Sequence, residues 1–145
     1  MKSKNSFILF SLLLSLFLVG CDSSNYDSAL LQAIPLVLNG NLESDQAKIE
    51  ALLDEIINLS NSEVCSDSGK WNFTPIGYKA CGSPSPIRYL AYPKNIDVDA
   101  FLKMVEVHKV SQKKLIEKWN LASTCELILE PKEIKCENGA AVLVY

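Results

Sequence analysis

The residues that could do chemistry are few. His108 is the only histidine in the chain and the only side chain whose ordinary pKa suits general acid–base work near neutral pH. It has no nucleophile beside it in sequence. Its spacing from Val105 and Gln112 puts it at the border of a helix's apolar face, where a boundary residue without catalytic duty is expected. A serine–histidine–aspartate centre would have to recruit this same residue. Carboxylates are plentiful, as a glycosidase pair would require, but Glu43, Glu50, Asp54, Glu55, Asp97, Asp99, Glu106 and Glu117 are explained as helix caps or solvated faces. Ser66, Asp67, Ser68 and Gly69 supply too few oxygens for a calcium loop. No Cys-x-x-Cys pair exists and His108 is far from every cysteine, so neither a zinc site nor a thioredoxin-like redox centre is expected. The expectation is no catalytic residue, no metal and no cofactor.

The most suggestive segment is Gly82, Ser83, Pro84, Ser85 and Pro86, with Arg88 and Tyr89 just beyond it. Two prolines restrict the backbone, Gly82 permits a bend and Cys81 anchors one end. Such a loop would lose little entropy on binding, and arginine and tyrosine are enriched at binding hot spots.

The elements that must position these residues follow from periodicity. Ile49, Leu52, Leu53, Ile56 and Ile57 mark one face of a helix from Asp45 to Leu59, with Ser44 as N-cap. A second, longer helix starts at Asp97 as N-cap. Val98, Phe101, Leu102, Val105, Leu115, Ile116 and Trp119 form its inward face, and its lysines, Lys118 among them, lie mostly outward. Trp71–Thr74 and Arg88–Tyr92 are expected as strands. Near the C-terminus, Glu126–Leu129, Ile134–Glu137 and Ala140–Tyr145 read as a three-stranded meander, its last turn carried by Asn138–Gly139. The stretch Ser28–Leu38 is apolar around Pro35 and suggests a short helix ending before that proline. The expected fold class is α+β: two main helices packed on a small antiparallel sheet.

The N-terminus has a different character. Lys2 and Lys4 precede an uncharged run from Phe7 to Val19, which is the order of a secretory signal peptide. The run is about 20 Å long as a helix, short of a ~30 Å hydrocarbon core. It ends in Leu18, Val19, Gly20 and Cys21, and here the chain resembles bacterial lipoproteins, whose lipobox is an aliphatic residue, two further mostly small positions and a cysteine. The resemblance implies cleavage before Cys21 and lipidation of its thiol and new amino terminus with palmitate-type chains, an effectively permanent membrane anchor. The expected organisation is a signal peptide over 1–20, a lipidated tether over 21–28 and a single disulfide-braced domain over 29–145. Without the leader the net charge falls from −3 to about −5, which excludes a basic nucleic-acid footprint.

Setting Cys21 aside leaves Cys65, Cys81, Cys125 and Cys136, an even number in an exported, oxidising setting, hence two disulfides. A turn at Glu130 and Pro131 would put Cys125 opposite Cys136 across an antiparallel pair and leave Cys65 to Cys81; nested and crossed pairings are the alternatives. The order Trp71, Phe73, Pro75, Gly77, Lys79, Ala80, Cys81, Gly82, Tyr89, Tyr92, Cys125 and Cys136 resembles a group of small uncharacterised exported bacterial proteins, which implies a domain type and no activity. The functional expectation is a non-enzymatic binding module on the cell envelope, lipid-anchored at Cys21, whose partner is an envelope protein or glycan and whose role could be inhibition of a hydrolase. The alternatives are a structural envelope lipoprotein and a small hydrolase.

Overall fold

The computed structural model describes residues 33–81, 85–122 and 125–145. The expected signal peptide, the lipobox, Cys21 and the tether lie outside the described residues. The elements run α1 (Leu42–Ser60), a 3-10 turn (Ser68–Lys70), β1 (Trp71–Ile76), β2 (Arg88–Pro93), α2 (Val98–Trp119), β3 (Glu133–Glu137) and β4 (Ala140–Val144). The class is α+β, with β1 paired antiparallel to β2 and β3 to β4.

Helix α1 begins three residues earlier than its periodicity suggests, because Asn41 rather than Ser44 is the N-cap: its side chain accepts the Ser44 N–H at 2.9 Å. Asp45 is thereby turned inward and is fully buried. Its carboxylate accepts from Lys118 Nζ at 2.6 Å, from the Gly40 N–H at 3.0 Å and from Trp119 Nε1 at 3.4 Å. Lys118 also donates to the carbonyls of Leu38 and Gly40, so the lysine expected to face solvent ties the start of α1 to the end of α2. Helix α2 is capped as expected, Asp97 accepting from the Ala100 N–H, and it stops at Asn120, whose left-handed backbone lets its N–H close back onto Ile116.

Strand parity then sorts the side chains. Register pairs Ile76 with Arg88, Thr74 with Leu90 and Asn72 with Tyr92, and this face of β1–β2 meets the helices. Ile56, Ile76, Tyr92, Phe101 and Val105 form the main core there, with the Tyr92 and Phe101 rings 4.9 Å apart. The opposite face carries Trp71 and Ala91, which pack with Cys65 against Ile134, Cys136, Ala141 and Leu143 of the β3–β4 hairpin. The described residues thus stack as helices, central ribbon and covering hairpin. Asn138 (φ 52°) and Gly139 (φ 82°) make the expected primed turn, and the Gly139 carbonyl accepts the Cys65 N–H at 2.8 Å.

Three expectations are corrected. Cys65 pairs with Cys136, and Cys81 with Cys125, so the bridges are nested rather than sequential. Ile134 and Cys136 point inward from β3 onto the Trp71 face, where the chain leaving α1 delivers Cys65; Cys125 stays beside Cys81. For the same reason the meander is not three-stranded: residues 126–129 join no ladder. The short helix is not formed over 33–40, which is irregular, and residues 28–32 lie outside the described ones. The strap instead lays Leu36 and Leu38 on Ile49 and Leu115, the Leu36 N–H donating to Ser111 Oγ at 2.8 Å, while Ile34 and Val37 stay 80% and 70% exposed.

Candidate functional site

The connection between β1 and β2 is held on both arms. The Lys79 N–H donates to the Ser85 carbonyl at 2.9 Å, and the Ile87 N–H to the Ile76 carbonyl at 2.9 Å. Cys81 is fixed by its disulfide to Cys125. Gly77, at φ 84°, turns the chain so that the Tyr78 N–H reaches Gln112 Oε1 of α2 at 2.8 Å. Lys79 is buried and spans to the Glu126 carbonyl at 3.4 Å. Gly82, Ser83 and Pro84, the expected tip, lie outside the described residues.

Ser85 and Pro86, both half-buried, form one wall of a groove of about 370 Å³. The end of β1 contributes Thr74, Pro75, Gly77 and Tyr78, and α2 contributes Leu102, Val105, Glu106 and Lys109. The floor is apolar, and the Glu106–Lys109 ion pair, 3.1 Å apart and half exposed, stands on the helical rim. An exposed pair of this kind contributes about 0–1 kcal/mol, so either charge is available to a partner at small cost. The lysine at position 113 lies 5.9 Å from the Tyr78 ring centroid.

The other expected binding residues go elsewhere. Arg88 is exposed on the helix-facing side of the sheet and borders a hollow of about 250 Å³ with Leu53, Ile76, Gly77, Ile87 and His108. Tyr89 is on the opposite side, edge-to-face on Phe73 at 5.9 Å. Burial pushes its phenol above the ordinary range, and Glu130 and Tyr145 add to the shift. Among the described residues the expected set is thus split, Ser85 and Pro86 meeting in the groove and Arg88 and Tyr89 lying outside it. The groove residues from β1 and α2 were not singled out by sequence; their signals were the Pro75–Tyr78 turn and the i, i+3 spacing of Glu106 and Lys109.

His108 is buried, not a boundary residue, at 2% exposure. Its Nδ1 has no hydrogen-bond partner among the described residues. Burial, and secondarily Arg88, hold its pKa below the ordinary 6.5, so the ring is neutral at pH 7. Glu50 shares a second hollow of about 240 Å³ with it, but no hydroxyl lines either hollow, and Ser111, one turn along, has its Oγ engaged with Val107 and Leu36. Among the described residues that line these two hollows, none presents a hydroxyl or thiol to the imidazole. A further hollow, about 510 Å³, is an open cleft beside the 3-10 turn, with Asp67 already capping Gly69 and Lys94 bonded to the Gly69 carbonyl.

Among the described residues no cluster of three His, Cys, Asp or Glu side chains could hold a metal ion, and no helix is long and apolar enough to cross a membrane. The two disulfides are those of a chain folded in an oxidising compartment. Compared with family models, with curated proteins and with solved structures, the chain matches none.

Proposed function

We propose that the protein is a non-enzymatic binding module of the bacterial envelope, lipid-anchored at Cys21, that seats a segment of an envelope protein in the groove between its β1–β2 connection and α2. Inhibition of a hydrolase is one form such a role takes. The observation that carries this reading is the groove itself: an apolar floor with a charged rim, one wall of which is the Ser85–Pro86 arm, tied by a backbone bridge to the arm that the Cys81–Cys125 disulfide holds. Pre-organised walls reduce the ordering cost of association. A protein segment fits the apolar floor better than a glycan does, because saccharide hydroxyls over Leu102 and Val105 would find few partners there.

The test is affinity capture from envelope extract with the immobilised full chain, followed by mass spectrometry. Ser85→Arg fills the groove, and Glu106→Lys with Lys109→Glu reverses both rim charges while keeping their mutual attraction. These surface changes should alter folding stability by under ~0.5 kcal/mol, and both should abolish capture of the partner held by the wild type. Undiminished capture by both variants rejects the groove.

A second reading, a structural lipoprotein, is favoured by one observation: Ile34 and Val37 project outward from the strap. If position is the role, Ile34→Ser with Val37→Ser, and not the groove variants, releases the protein from its envelope complex.

A further inference from the structure

Residues 126–130, Glu-Leu-Ile-Leu-Glu, have the composition of a strand, and they join no ladder. Leu127 and Leu129 are 80% and 61% exposed, Glu126 and Glu130 are exposed as well, and Ile128 at the centre is half-buried. The backbone groups of Leu127, Ile128, Leu129 and Glu130 take no hydrogen-bond partner among the described residues. Both ends are nevertheless fixed. Cys125 is bonded to Cys81 and the Glu126 carbonyl accepts from Lys79; beyond the segment Pro131 is buried and the Lys132 N–H donates to the Val144 carbonyl at 2.7 Å.

Natural proteins usually blunt an open edge with charge, a bulge or a cover. An unpaired apolar segment anchored at both ends is instead suited to accept a strand, since little entropy is left to lose. The charges select the occupant. In a pairing of two copies, antiparallel about Ile128, Glu126 would stand opposite Glu130 twice, and like charges directly opposite are destabilising. A strand with a basic residue at each end of an apolar centre meets the same two glutamates favourably.

We propose that residues 126–130 are a docking edge that takes up, by β-strand addition, an extended peptide segment of another protein with an apolar centre and lysine or arginine on both flanks. The edge shares no residue with the groove, so this inference stands or falls apart from the groove reading.

The probe is the peptide acetyl-Lys-Val-Ile-Val-Lys-amide added to the full chain in detergent. Amide hydrogen exchange should slow at least tenfold over residues 127–130, and binding should weaken as salt rises. The same peptide with glutamate for both lysines should bind at least tenfold more weakly, and the N-methylated Lys-Val-Ile-Val-Lys peptide should give no protection. Leu127→Ser with Leu129→Ser, two exposed positions, should lose uptake, whereas Lys109→Glu at the groove should keep it. Absence of protection at millimolar peptide, equal binding by the acidic peptide, or protection that rises with protein concentration without peptide would each overturn the proposal; the last would mean that a second copy occupies the edge.

Discussion

Removing the outer bridge with Cys65→Ala and Cys136→Ala is the perturbation whose size the connectivity sets most directly. The outer pair is separated by 71 residues and the inner pair by 44. With the inner bridge closed, the outer one has only the difference left to restrain, roughly 27 residues. In the chain-entropy model a loop of that size corresponds to about 3.5 kcal/mol. Alanine keeps the buried Cys65 position apolar, so most of the loss should come from the unfolded chain. For a domain of about 110 residues this is a fall in Tm of about 15 °C. The assay is urea and thermal unfolding of the oxidised variant, with peptide mapping of the wild type without reduction. The wild type should give one fragment joining Cys65 to Cys136 and another joining Cys81 to Cys125. A fragment joining Cys125 to Cys136, or a loss under about 1 kcal/mol, would refute the nested arrangement and the reasoning built on it.

Three further outcomes follow from single residues. Because His108 is held neutral, the unfolded chain takes up its proton first as pH falls below 6.5. Stability should therefore be full above that value and decline through the lowered folded pKa; His108→Leu should flatten Tm between pH 7 and pH 5. Lys118 lowers the Asp45 pKa below its ordinary 3.8, so this contribution is present above 3.8 and fades only below it. Lys118→Met should abolish that acid limb and cost several degrees of Tm, more than Lys113→Met, which breaks an exposed pair with Glu117 and a contact over the Tyr78 ring. Gly77→Ala places a Cβ 2.7 Å from Ile87 Cδ1 at φ +84°, and should destabilise by at least about 1–2 kcal/mol in urea unfolding.

What was legible in the sequence is what neighbouring residues decide. The Asp97 cap, the spacing from Val98 to Trp119 and the Asn138–Gly139 turn each depend on groups a few positions away, and all three stand in the structure. Asp45 shows the limit. A carboxylate in a first turn reads as a solvated charge on the helix dipole, and only a lysine 73 residues further on makes its burial tolerable. The disulfide pairing failed for a related reason. Opposition of Cys125 and Cys136 assumed that consecutive apolar stretches pair, whereas the hairpin buries its inner face on Trp71 and Ala91 and takes Cys65 as the partner of Cys136. His108 looked like a boundary residue while only its own helix was considered; α1 and the central ribbon cover the rest of it. The groove, too, is assembled from two stretches, 74–86 and 102–109, whose contributing residues lie 16 to 35 positions apart, and its Ser85–Pro86 wall is the part that the sequence makes legible.

Site-specific photocrosslinking in the intact envelope tests the binding role most directly. A photoreactive residue at Lys109, on the groove rim, should give one discrete adduct on illumination, and the same residue at Glu55, exposed on α1, should give none. No adduct at Lys109, or the same adducts from both positions, would contradict the account.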